Sequence, residues 1–191
     1  MYANTEGRKQ EMQDVIFRHA VPEDLEEITE IEAICFPPNE ACDKENFRKR
    51  LAVAADHFLL MVDTKANDGK GRIMGFVNDI ASHKDLLEDD MFTDAVQHEP
   101  DGAYLIVLGL DMRPEYRHGG NATRLMNKLI QTARETGRKG LVLTCHDYLV
   151  PYYQKFGYQD LGISASSWGG ETWNDMRLVF DTAKNRDKMQ G

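Results

Sequence analysis

From Asp14 onward the chain alternates short apolar runs with segments whose apolar residues recur every three or four positions, and this alternation predicts its elements. VIFRHA at 15–20 reads as a first strand. Pro22, Glu23 and Asp24 suit the first turn of a helix: proline lacks an amide that would have no helical acceptor there, and acidic side chains favour the positive end of the helix dipole. Leu25, Ile28, Ile31 and Cys35 then fall on one face until Phe36-Pro37-Pro38 breaks the pattern. Asp43 can cap a second helix running to Val53. FLLMVD (58–63) and RIMGFVNDIA (72–81), joined by the turn-rich KANDGKG, predict an antiparallel hairpin. The acidic stretch 85–102 carries no period, and no element is predicted for it.

The second half is more regular. AYLIVLGLDM (103–112) is too continuously apolar for a half-exposed strand and is expected to be covered on both faces. From Ala122 onward, Leu125, Met126, Leu129, Ile130 and Ala133 form one stripe of a helix that Gly137 can end. LVLTC (141–145) follows as another buried strand. Strand, helix and strand with short joints make a right-handed βαβ unit, so these two strands should run parallel. YQDLGIS and TWNDMRLVF supply the last two strands. The fold class is therefore α/β, a mixed sheet with antiparallel pairs at one end, a parallel pair inside and flanking helices. One domain is expected over 14–181, with residues 1–13 as a frayed polar segment and 182–191 as a polar tail.

Composition narrows the function classes. Thirty-two acidic against 23 basic residues argue against a general nucleic-acid surface, and a solvated acidic exterior suffices to explain the excess. The longest apolar run, YLIVLGL, is too short to cross a membrane, and MYANTEGRKQEMQ lacks the apolar core of a signal peptide. Three cysteines, an odd number without paired spacing, fit a reducing cytosol better than a disulfide framework, so a cytoplasmic protein is expected. The expected assembly is a monomer or homodimer, and no metal is expected.

The candidate chemistry begins at Arg117-His118-Gly119-Gly120-Asn121-Ala122-Thr123, between a strand and a helix. Glycine there lets backbone N–H groups converge on an anion at a helix N-terminus. It is neither the dinucleotide fingerprint nor a P-loop. On local sequence alone, an anion nest and a mere helix-starting turn are equally good readings. A second stretch, CHDYLVPYYQKFGY (145–158), follows a buried strand with paired tyrosines.

Arg117-x-x-Gly120-x-Ala122, after an apolar strand and before an amphipathic helix, resembles the coenzyme A pyrophosphate loop of the GNAT acyltransferase superfamily, and the order of elements from residue 15 to 180 agrees. The stretch 145–158 is similar to the corresponding run of the arylalkylamine (serotonin) N-acetyltransferases, and the chain reads as a microbial relative in that branch. The resemblance implies an acetyl-CoA-dependent N-acetyltransferase acting on the primary amine of a small molecule, arylalkylamine or polyamine-like, by direct attack in a ternary complex. Coenzyme A would lie along Leu108, Gly109 and Leu110 and the loop 117–123, with Tyr153 also touching it and protonating the leaving thiolate. Phe36 and Pro37, in the loop that replaces the family's substrate-gating loop, would line the amine site with Tyr104 and Thr144. Tyr152 is expected to pack, His146 to sit in a solvated loop, and Cys145 to be inert rather than a nucleophile.

One departure stands out. The two strand histidines that relay the amine proton in vertebrate enzymes fall on Tyr104 and Ile106, neither of which carries a basic ring nitrogen. Glu32, Glu40 and Asp79 are the alternative proton acceptors, each weighed against a plain surface carboxylate. A protein N-terminal or lysine acetyltransferase, an aminoglycoside acetyltransferase and a non-catalytic coenzyme A sensor are the alternative functions.

Overall fold

A computed structural model describes residues 14–180. The expected frayed segment 1–13 and the tail 182–191 lie outside the described residues. Seven strands form one mixed sheet in the order β1-β2-β3-β4-β5-β7-β6: β1 Val15–His19, β2 Phe58–Asp63, β3 Arg72–Ser82, β4 Tyr104–Met112, β5 Gly140–Cys145, β6 Gln159–Ile163 and β7 Asn174–Val179. The helices are α1 Leu25–Cys35, α2 Lys44–Ala54, α3 Asn121–Glu135 and the short α4 Val150–Gln154. The α/β class and the parallel β4–β5 pair expected from the sequence are both present.

The described residues fall into two compact units, one of 14–78 with Gly109–Leu125, the other of Asp79–Leu108 with 126–180. In the first unit β1, β2 and β3 pair antiparallel. Ile28 and Ile31 of α1 and Phe47 and Leu51 of α2 pack on Phe58, Leu60, Ile73 and Phe76 of the strands. Phe47 meets Phe58 and Phe76 edge-on at 5.8 and 6.0 Å, the geometry favoured by aromatic quadrupoles. The caps agree with the sequence: Pro22–Asp24 is a 3-10 turn leading into α1, and Asp43 Oδ1 accepts from Asn46 N at 2.8 Å to start α2.

In the second unit the parallel register runs from Tyr104↔Gly140 to Ile106↔Val142, after which β5 continues beside β7 as far as Cys145↔Asn174. Met126, Leu129, Ile130 and Ala133 of α3 are buried, as their spacing predicts. The stretch 85–102, for which the sequence gives no element, folds as two 3-10 turns, Asp89–Phe92 and Ala95–Gln97. Its Leu87 and Met91 join Ile80, Ile106 and Val142 in a core on which Phe92, Tyr104 and Leu108 pack. Turns of three and four residues are too short to show a helical period, which is why the pattern hides them. Asp89 fastens this stretch to the β6–β7 connection: its carboxylate accepts from Ser166 Oγ and, at 3.1 Å, from Ser167 N, while Phe92 stacks on Trp168 at 4.6 Å.

Candidate active site

The loop after β4 is anchored before it turns. Arg113 is buried, and its Nε donates to Ile73 O at 3.0 Å, Nη1 to Glu30 at 2.9 Å and Nη2 to Glu27 at 3.3 Å, while its main-chain N–H donates to Met74 O. A 3-10 turn over Pro114–Tyr116 follows. Asn121 Nδ2 then reaches back to Tyr116 O at 3.0 Å and His118 O at 3.3 Å, folding the loop under the first turn of α3. Gly119 and Gly120 have φ of 78° and 79°, the left-handed region where a β-carbon costs about 1–2 kcal/mol. A β-carbon at either would meet no atom within 4 Å, so backbone conformation and not crowding requires glycine there. Residues 117–120 are exposed, and the leading N–H groups of α3 have no helical acceptor, so the loop presents donors and the positive dipole end to solvent. Arg117 folds back, its Nε donating to Met112 O at 3.0 Å and its Nη2 3.7 Å from Cys35 Sγ.

A buried polar cluster lies in the same unit. Asp111 of β4 is fully buried and Glu32 of α1 nearly so. Glu32 Oε1 accepts from Cys42 N at 2.8 Å, whereas Glu32 Oε2 and both Asp111 oxygens have no N–H or hydroxyl donor among the described residues. The two carboxyls act on each other, and the Cys35 thiol also faces Asp111. Burial pushes Glu32 up from its ordinary 4.5 to about 6, with the Cys42 amide, the Asp111 hydrogen bond and the Arg50 charge pulling the other way. Burial and the neighbouring Glu32 charge hold Asp111 well above the usual carboxylate range, so Asp111 keeps the proton and donates it to Glu32. Arg50 of α2, also buried, donates to Asn78 Oδ1 on β3 and lies 5.7 Å from the Phe47 ring. A β-carbon on Gly109 would stand 2.8 Å from Asn78 Nδ2, 3.1 Å from Asp111 Oδ2 and 3.9 Å from Glu32 Oε2. A side chain at Gly109 would be crowded first by Asn78 Nδ2 and then by Asp111 Oδ2, whereas Glu32 Oε2 would stand at ordinary contact distance.

In the second unit, Cys145 ends β5 and a 3-10 turn over Asp147–Leu149 leads into α4. Tyr153 is buried, with its ring edge-on to Tyr152 at 5.2 Å and to Tyr158 at 5.8 Å. Tyr152 also packs edge-on against Phe156 at 5.2 Å, the packing role its position implied. Burial and the charges of Asp160 and Asp147 push the Cys145 thiol up to about 12, which leaves almost no thiolate at neutral pH.

Residues 25–158 match the sequence pattern of the acetyltransferase (GNAT) family. The chain belongs to the GNAT family. It is 30% identical to serotonin N-acetyltransferase of Mesocricetus auratus over 110 residues, which span 56% of this chain and 51% of that one, about half the length of the curated relative. The loading GNATL domain of CurA from Lyngbya majuscula superposes with a TM-score of 0.72 at 16% identity, over 86% of this chain and 97% of that one. The PaiA N-acetyltransferase of Thermoplasma acidophilum, solved in complex with coenzyme A, superposes with a TM-score of 0.61 at 15% identity, over 87% and 99%. At such identities the likeness is one of fold.

Within this GNAT chain, the structure brings Gly109, Leu110, Arg117 to Thr123 and Glu32 into one compact unit, and Leu108, Tyr104, Thr144 and Tyr153 into the other. Phe36 is half-buried and Pro37 exposed in a turn where Pro37 O accepts from Glu40 N and Ala41 N. Thr144 is half-buried opposite Asp175. Two expectations are corrected. Glu32 and Asp79 are buried rather than surface carboxylates, because each occupies an inward position of a packed element. His146 is stacked on Trp173 at 4.3 Å and beside Tyr148 at 5.5 Å, not free in a solvated loop. Asp111 was missed by sequence reasoning, although a lone acid inside an otherwise unbroken apolar strand is a visible signal. Among the described residues no group of three or more His, Cys, Asp or Glu could hold a metal ion, and no helix is long and apolar enough to cross a membrane.

Proposed function

We propose that this protein is an acetyl-CoA-dependent N-acetyltransferase of the cytosol that acetylates the primary amine of a small molecule by direct attack in a ternary complex. The observation that carries the reading is the loop 117–123, with two left-handed glycines, an exposed arginine and the open N-terminus of a fifteen-residue helix. Such a loop offers several N–H donors and a positive dipole end to a pyrophosphate. Arg117, His118, Gly119, Gly120, Asn121, Ala122 and Thr123 would hold that group, while Leu108, Gly109 and Leu110 of β4 would lie along the pantetheine arm.

Acetyl transfer from a thioester to an amine needs a neutral amine, polarisation of the carbonyl and a proton for the departing thiolate. Tyr153 is assigned the last role on its place in the run 145–158, and Phe36, Pro37, Tyr104 and Thr144 are assigned to the amine's surroundings. Cys145 takes no covalent part, since its buried thiol is held away from the nucleophilic thiolate.

Calorimetry with acetyl-CoA tests the loop. Gly120→Glu is expected to abolish binding, since it strains a φ of 79° and adds a like charge at the anion's place. Unchanged affinity would refute the assignment. A panel of small amines and of peptides, assayed for coenzyme A release, then separates small-molecule from protein acetylation.

A further inference from the structure

The buried polar groups around Gly109 include one more carboxyl than a core ion pair uses. A core ion pair needs one cation and one anion, and Arg50 with Glu32 would satisfy that need. Asp111 is a second carboxyl, wholly buried, whose oxygens take no N–H or hydroxyl hydrogen bond among the described residues and face only the Cys35 thiol and Glu32. Replacing it by an apolar residue would remove an unsatisfied group from the core, so its presence there is a cost to stability. Both carboxyls converge on the one β4 residue without a side chain, at 3.1 Å and 3.9 Å from where a β-carbon of Gly109 would be. In the acetyl-transfer reading, on which this inference rests, the backbone beside Gly109 is where the thioester carbonyl lies.

We infer that Glu32 takes the proton from the acceptor ammonium and that Asp111, through the proton the two carboxyls share, is the residue that positions it. The strand positions from which the vertebrate branch delivers histidines hold Tyr104 and Ile106, so the proton needs another acceptor. An N–H bond of the ammonium breaks and an O–H bond forms on Glu32. The freed nitrogen lone pair attacks the thioester carbon, the C–S bond breaks, and the thiolate takes up a proton. The ammonium loses two protons in all: one offsets the thiolate's, and the other leaves Glu32 for water.

The groups facing the pair agree with this role. Arg50 from α2 lowers Glu32, the Cys42 amide fixes its Oε1, Cys35 at the end of α1 faces Asp111, and Arg117 lies beside Cys35. Burial offsets the two stabilising contacts and leaves Glu32 poised at about 6, where a base is both free at neutral pH and strong enough to act. Asp111 stays a donor throughout, because burial and the Glu32 charge keep its proton on.

The test compares turnover of an alkylammonium acceptor with that of hydroxylamine, which is largely neutral at assay pH. Glu32→Gln is expected to lose about 10²- to 10⁴-fold in kcat with the ammonium acceptor, far less with hydroxylamine, and to bind acetyl-CoA as tightly as wild type in calorimetry. Asp111→Asn, whose amide can donate to Glu32 in place of the shared proton, is expected to stay within about tenfold of wild type. Asp111→Leu, which removes the donor, should move the acid limb of the rate profile to higher pH. Wild type itself should lose rate toward acid between about pH 7 and 5, a readout that needs no variant. An equal loss with both acceptors in Glu32→Gln, or a wild-type profile flat over that range, overturns the inference while the acetyl-transfer reading stands. Wild type that binds no acetyl-CoA overturns both.

Discussion

Glu32→Gln should make the protein more stable at neutral pH while removing its base. The folded state raises the Glu32 carboxyl from 4.5 to about 6, and each pKa unit is 1.36 kcal/mol, so the ionised group opposes folding by about 2 kcal/mol once the pH is well above 6. Between 4.5 and about 6 the folded protein holds a proton that the unfolded chain has lost, so stability falls as pH rises through that window and is unaffected by this group below it. Glutamine is neutral at every pH and keeps the Oε1 that accepts from Cys42 N. Urea denaturation of both proteins at pH about 4.5 and about 7.5 should show similar stability at the lower pH and a variant more stable by about 2 kcal/mol at the higher. Equal stability at the higher pH, or a variant weaker there, would show that Arg50 and the Cys42 amide fully compensate the buried charge, and Glu32 would then not be a poised base.

Tyr153→Phe keeps the ring's packing against Tyr152 and Tyr158 and deletes the hydroxyl, so kcat is expected to fall by about 10²- to 10⁴-fold with acetyl-CoA affinity nearly intact; turnover within about twofold of wild type would make Tyr153 a core aromatic. Cys145→Ala should keep most of its activity and lose about 1 kcal/mol of stability, and acetyl trapped on Cys145 by mass spectrometry would refute the ternary route.

Much of the fold was legible because long elements carry strong periods. The stripe Leu125 to Ala133 and the continuous β4 run needed no tertiary information, and Asp43 and Gly137 marked helix ends by their chemistry. The loop 117–123 was legible for the same reason: it is contiguous, and its glycines mean the same thing in sequence and in space. The carboxyl pair was not. Glu32 could be named only as one of several candidate acids, and Asp111, although it stands out as a lone acid in an apolar strand, lies far from it in the chain, so their pairing shows only in the fold. Arg50, whose charge acts on Glu32, sits among the charged residues of a helix and carries no mark of its own in the sequence.

The fastening at Asp89 bears on how this scaffold could be altered. One carboxylate ties the 3-10 turn at 89–92 to the backbone at Ser167, and the Phe92–Trp168 stack joins the same two segments. Two loops joined at such a point open together, so hydrogen exchange across 89–92 and 166–168 should report a single opening event, and Asp89→Ala should release both at once. For anyone swapping surface loops to change what the protein accepts, these segments form one graft: transplanting either without the other would leave a carboxylate with no hydroxyl to hold and an indole with no ring to cover it.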